Sequence, residues 1–125
     1  MINIEEVNRI AAKTGAMLLE SKLTVSVVEA TVCGLIGYVL TRLPGSSKYF
    51  LGSISPYSRL GKLEGLRMNR SLLNAKGSVS GETALEMAHK VRILFDSDIG
   101  IAETGIAGPS GGTSKHPAGT FYVAI

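Results

Sequence analysis

Ser46 and Ser47, Tyr57 and Lys62 are side chains that together can carry nucleophilic chemistry. A seryl hydroxyl attacks a carbonyl once a base takes its proton, and a lysine can fill the role the histidine has in the familiar triad. Such a lysine must be neutral when it acts. That requires burial or neighbouring positive charge, so an exposed Lys62 would be a poor base. Gly45-Ser46-Ser47 follows a helix end, where two hydroxyls beside a glycine also serve as ordinary caps, and both readings stay open. Tyr57 and Lys62 favour chemistry only if they share a site with Ser47.

A second group is Thr104-Gly105-Ile106-Ala107-Gly108-Pro109-Ser110-Gly111-Gly112, closed by Pro117-Ala118-Gly119-Thr120. Four glycines within nine residues let the backbone take positive φ and approach a ligand closely. Free N–H groups in such a turn form an anion-binding concavity. The competing reading is a hairpin connection rich in turn formers. Other reactive side chains read as structural. His89 falls off the apolar stripe of its helix, His116 is a loop residue, Asp96 marks a helix end and Asp98 a strand start. Cys33 reads as a small buried hydrophobe sooner than a nucleophile.

These residues need a scaffold, and the composition provides for one. A chain of 125 residues makes a single domain, 1–125, able to bury roughly two thirds of its unfolded surface. Its 45% hydrophobic and 18% charged content excludes a disordered tail. The net charge of +3 comes from scattered basic residues, which does not indicate nucleic-acid binding. With Cys33 as the single cysteine there is no internal disulfide and no thiolate zinc cluster. The opening Met1-Ile2-Asn3-Ile4-Glu5-Glu6 has no basic and apolar leader pattern, and the longest apolar run is too short to span a bilayer. No membrane association and a cytoplasmic location are therefore expected.

Apolar residues at helical spacing (Ile4, Val7, Ile10, Ala11, Met17, Leu18) predict an amphipathic helix over about 4–21. Leu23 to Val28 predicts a buried strand ending near Glu29, and Leu35, Ile36, Val39, Leu40 and Leu43 predict a helix stopped by Pro44-Gly45. A weaker strand over 51–55 is bounded by Pro56, with short helical turns around 59–64 and 70–75. Ser80 is an N-cap for a helix whose stripe is Ala84, Met87, Ala88, Val91, Leu94 and Phe95. Strands follow over 98–104 and 119–125. This alternation predicts an α/β domain with a mixed sheet covered by helices on both faces, and ligands gather beyond strand ends in such sheets.

The ordered series of motifs resembles a known family. Leu43-Pro44-Gly45-Ser46-Ser47-Lys48-Tyr49-Phe50, Tyr57-Ser58 with Lys62, Gly77-Ser78-Val79-Ser80, Glu86-Met87-Ala88 and Thr104 to Pro109 with Pro117 and Gly119-Thr120 are similar to the CinA C-terminal domain, a family that includes a nicotinamide mononucleotide deamidase. The resemblance implies a three-layer α/β/α fold. For active members it implies metal-independent, cofactor-free hydrolysis of nicotinamide mononucleotide (NMN) to nicotinic acid mononucleotide and ammonia by a Ser/Lys mechanism.

On that pattern Ser47 is the nucleophile, Lys62 the base at the family's separation of 15, and Tyr57 the orienting or relaying hydroxyl. The implied contacts to a small anionic nucleotide are Glu29, Thr31, Gly45, Ser46, Thr104, Gly105, Ile106, Ala107 and Gly108. A catalytically degenerate nucleotide-binding or partner-binding member is the alternative. Three departures stand out. The family's Glu-Ser-Cys-Thr-Gly-Gly is replaced by Glu29-Ala30-Thr31-Val32-Cys33-Gly34. Its Tyr-Ser-Asn-Glu-x-Lys is Tyr57-Ser58-Arg59-Leu60-Gly61-Lys62, and its Gly-Pro-Asp-Gly-Gly is Gly108-Pro109-Ser110-Gly111-Gly112. The family pattern also continues beyond Ile125, so a C-terminally shortened domain that seals its exposed face as a homo-oligomer is expected.

Overall fold

The computed structural model describes residues 3–125; Met1 and Ile2 of the opening segment lie outside the described residues. Helix α1 (Ile4–Ser21) leads into strand β1 (Val25–Glu29), then α2 (Leu35–Thr41) and β2 (Phe50–Ile54). Helices α3 (Arg70–Lys76) and α4 (Gly81–Phe95) precede β3 (Ile99–Gly105) and β4 (Phe121–Ala124). The sheet order is β2-β1-β3-β4, with β1 parallel to both neighbours and β4 antiparallel to β3. The mixed α/β sheet expected from the alternation of elements is thus the observed one.

Every residue of β1 is buried because the strand is central and covered on both faces. Alternation sorts its side chains. Val25 and Val27 join Leu18, Leu40 and Tyr49 on the side of α1 and α2. Val28 and Ala30 join Met87, Val91 and Ala102 on the side of α4. That is the third layer, and it sets how close α4 comes to the sheet. A Cβ at Gly100 would lie 2.1 Å from the Ala88 carbonyl oxygen, so β3 and α4 meet backbone to backbone there.

Three apolar stripes are narrower than the sequence predicts. Helix α1 buries Ala11, Gly15 and Leu18, while Ile4, Ile10 and Met17 are exposed. The contact line is made of small residues because α1 approaches tightly: a Cβ at Gly15 would stand 2.7 Å from Leu43 Cδ1. On α2, Gly37 and Leu40 turn inward and Leu35 outward. On α4 the line through Ala84, Ala88 and Val91 continues to Phe95, which packs over Gly52, and leaves Leu94 exposed. The α4 ends follow expectation. The Ser80 side chain accepts from the Thr83 N–H, and Asp96 closes the helix in the left-handed region.

Candidate functional site

Strands β1, β2 and β3 run the same way, so the loops that follow them share one edge of the sheet. A cleft of about 370 Å³ lies there. Ala30 and Thr31 reach it from the end of β1, and Tyr57 and Lys62 from beyond β2. Thr104, Gly105, Ile106, Ala107 and Gly108 form another wall at the end of β3, continued by Ser110 and Gly111. Ser78 and Val79 close it just before α4. A hollow of similar size, about 380 Å³, sits around Arg92 and Asp98 at the start of β3 and contains none of the predicted site residues.

Two threonines tie these walls together. Thr31 Oγ1 donates to the Gly105 carbonyl at 3.2 Å, and Thr104 Oγ1 donates to the Ser78 carbonyl at 2.8 Å. The glycine loop is pinned at its base by Ile106 N–H to Thr120 O, 2.8 Å, and Gly119 N–H to Ile106 O, 2.7 Å. Within it Gly108 and Gly111 hold φ of 86° and 84°, values that side-chain-bearing residues rarely adopt. The loop therefore joins an antiparallel strand pair and lines the cleft at once.

Lys62 is the central charge. It is 2% exposed, carried by the tight turn Gly61–Gly65, and its Nζ donates to the Pro56 and Tyr57 carbonyls at 3.3 Å each. Burial pulls its pKa below the ordinary lysine value, and the Glu103 carboxylate pushes the other way. Tyr57 also lines the cleft but is 72% exposed.

The Gly45-Ser46-Ser47 segment lies elsewhere. It forms a short 3₁₀ turn, Ser46–Lys48, leading into β2, whose first residue Phe50 pairs with the first residue of β1. Lys62 follows the far end of that strand. The four steps from Phe50 to Ile54, at about 3.3 Å each, place roughly 13 Å of strand between the two segments. Ser47 is exposed, and Ser46 Oγ donates to the Thr41 carbonyl at 3.2 Å, closing the end of α2. Within one chain, therefore, Gly45, Ser46 and Ser47 do not meet Lys62 and Tyr57.

Glu29 is a second correction. It is fully buried, and its two carboxylate oxygens accept the N–H groups of Gly34, Ile36 and Gly37 at 3.1, 2.9 and 2.9 Å. It holds the start of α2 and does not line the cleft. Cys33, read as a small buried residue, is exposed with φ of 50°. Among the described residues no cluster of three or more His, Cys, Asp or Glu could hold a metal, and no helix is long and apolar enough to cross a membrane. The sequence reading missed Ser78 and Val79 as cleft residues, and the buried Glu103. The first two had a signal in the Gly77-Ser78-Val79-Ser80 motif.

The CinA C-terminal domain model matches residues 7–125. This chain belongs to that family. A CinA-like protein of Geotalea uraniireducens is 42% identical over 97% of the chain and 29% of its own length. One from Endomicrobium trichonymphae is 45% identical over 91% and 27%. The chain thus spans under a third of the curated relatives it matches. Among solved structures, the competence/damage inducible protein CihA from Agrobacterium tumefaciens superposes with a TM-score of 0.92 at 30% identity, over 98% of this chain and 74% of that one. In this CinA-family domain the altered loop of residues 30–34 opens at the cleft itself, with Ala30 lining it where the family pattern has serine.

Proposed function

We propose that the cleft binds a small anionic nucleotide of the NMN type and that Ser47 and Lys62 of one chain do not hydrolyse it. The observation that carries this reading is the placement of Lys62: it is buried and lines the same cleft as the glycine loop, whereas Ser47 stands at the opposite end of β2. A buried cation beside a glycine-rich turn suits a phosphate or carboxylate. Ala30 supplies no hydroxyl at the altered loop, while Thr31 and Thr104 commit theirs to backbone carbonyls.

A second reading is favoured by the burial of Lys62, which shifts the amine toward the neutral form a base needs. There the chain is an NMN amidohydrolase. The Ser47 hydroxyl gives its proton to Lys62 and attacks the amide carbon, ammonia leaves, and water then releases nicotinic acid mononucleotide. Because Ser47 and Lys62 are apart in one chain, this reading requires a homo-oligomer in which a second copy supplies the serine.

Calorimetric titration with NMN, run beside an ammonia-release assay on wild type, Ser47→Ala and Lys62→Ala, separates the two. The first reading expects binding without ammonia. Ammonia release abolished by both substitutions would replace it with the second, and no binding in any form would remove both.

A further inference from the structure

Tyr57 is the aromatic residue among those lining the cleft, and neither reading above gives its ring a task. The other three tyrosines are committed. Tyr49 is buried and its hydroxyl donates to the Leu40 carbonyl at 2.6 Å, Tyr122 meets His116 edge to face, and Tyr38 carries the Arg42 guanidinium over its ring at 5.6 Å. Tyr57 is 72% exposed, and among the described residues no ring stacks on it and no cation lies over it. Its backbone is tied down. The Tyr57 N–H donates to the Ser55 carbonyl at 3.0 Å, closing a three-residue turn around Pro56, whose ring sets φ near the value such a turn needs. Its carbonyl accepts Lys62 Nζ at 3.3 Å. A fixed stem thus holds a large ring open to water at the cleft.

The surroundings decide what that ring can meet. Tyr57 follows β2 and the glycine loop follows β3, with β1 between them in the sheet. Two strand spacings of about 4.8 Å put roughly 10 Å between these walls at the level of the backbone, and Ala30, at the end of β1, is the small residue between them. That width suits one flat ring lying over Ala30, with Tyr57 on one side and the apolar Ile106 and Ala107 on the other. The β1 wall is held in place, since Glu103 Oε1 accepts the Thr31 and Val32 N–H groups at 2.5 and 2.9 Å. Lys62 lies deeper, at 2% exposure. It spends two of its three N–H groups on the Pro56 and Tyr57 carbonyls, which leaves one for an anion.

We infer that Tyr57 is the specificity-determining residue of this cleft: its ring stacks on a flat, positively charged ring of the ligand, while Lys62 and the glycine loop take the anionic end. The ligand class is then an aromatic cation joined to a phosphate or carboxylate. This rests on the binding reading above and narrows it. The face of a phenol ring carries negative charge density and attracts a ring cation more than a neutral ring of the same shape. A lone anion gains nothing from it. Lys62 and a ring cation repel each other, so the ligand places its anion at Lys62 and presents its cation to Tyr57. The Tyr57 hydroxyl has no part in this contact, which separates the role from that of a tyrosine that orients or relays a proton.

The test is calorimetric titration of wild type, Tyr57→Phe and Tyr57→Leu with NMN, with its reduced form, whose ring is uncharged, and with ribose 5-phosphate, which has the anion and no aromatic ring. Tyr57 is exposed, so both variants should keep the fold, checked by circular dichroism. NMN should bind Tyr57→Phe as it binds wild type, and Tyr57→Leu about three- to thirtyfold more weakly. Ribose 5-phosphate should bind all three proteins alike, and the reduced form should lose less than NMN on the change to leucine. Equal NMN affinity in Tyr57→Leu overturns the inference. So does an equal loss for ribose 5-phosphate, which would mean that Tyr57 only shapes the cleft. A loss in Tyr57→Phe as large as in Tyr57→Leu assigns the effect to the hydroxyl and overturns it too, and an equal loss for the reduced form overturns the preference for a cation. In each of those outcomes NMN still binds wild type and the binding reading stands; should neither NMN nor ribose 5-phosphate bind wild type, that reading fails and takes this inference with it.

Discussion

Ser47 and Lys62 show how much a single strand decides. Their separation in sequence fits a nucleophile and its base, yet all of β2 lies between them and carries them to opposite ends of the sheet. The two residues should therefore separate in a binding assay. Lys62→Met is expected to weaken NMN about tenfold or more, the loss of one charge-assisted hydrogen bond, whereas Ser47→Ala should leave the affinity unchanged in isothermal titration. Spacing could name Lys62, Tyr57, Thr31 and the glycine loop, because each follows the end of a strand. The order of elements already puts Ser47 before β2 and Lys62 after it; spacing could not tell whether the two turns fold back to one site, and the extended strand between them decides that they do not. Glu103 was illegible for a different reason: a glutamate inside an apolar strand shows its purpose only once the N–H groups of the neighbouring loop are seen to converge on it.

Asp98 offers a residue-scale test of stability that is independent of the cleft. Its carboxylate accepts the Thr24 N–H and hydroxyl, both at 2.8 Å, joining the starts of β1 and β3. These bonds hold its pKa below the usual carboxylate value in the folded state. A depressed acid stabilises the fold above its unfolded pKa, and that contribution is lost as pH falls through the folded one. Asp98→Asn should therefore melt below wild type at neutral pH, and the gap should close in acid. A gap independent of pH would assign the effect to something other than the charge.

At the scale of elements, the contact between α4 and β3 is the one that admits least change. The periodicity along α4 and its Ser80 cap were plain in the sequence, because both are local properties of a helix. The closeness of the strand beneath it was not. Gly100 reads as one more small residue in a strand, and only the packed structure shows the Ala88 carbonyl oxygen 2.1 Å from where its Cβ would stand, with Arg92 Cβ at 2.9 Å. Backbone cannot move aside as a side-chain tip can. Gly100→Ala should cost about 1–3 kcal/mol or more through displacement of α4, measured by urea denaturation. Because Ser78 and Val79 sit just ahead of α4 on the cleft wall, the same substitution should also weaken NMN.

Across the whole molecule, the two faces of the sheet are unequal, and the difference predicts where the fold is firm. The face under α4 gathers Val28, Leu73, Met87, Val91 and Ala102 into one core, all at 1% exposure or less. The opposite face has a smaller cluster, and α1 reaches it through three buried residues while Ile10 stays 52% exposed. Local stability follows buried apolar contact, so amides of α4, β1 and β3 should exchange with deuterium most slowly and those in the first half of α1 soonest. Substitutions should divide in the same way. Met87→Ala is expected to cost about 2–5 kcal/mol by denaturant titration, through lost burial and the cavity it leaves, and Ile10→Ala about 0.5 kcal/mol or less. The strand ends that carry Thr31, Glu103 and Thr104 belong to the firm half. A cleft built on them keeps its geometry when α1 loosens, so variants that destabilise only α1 should retain NMN affinity until the global unfolding transition begins.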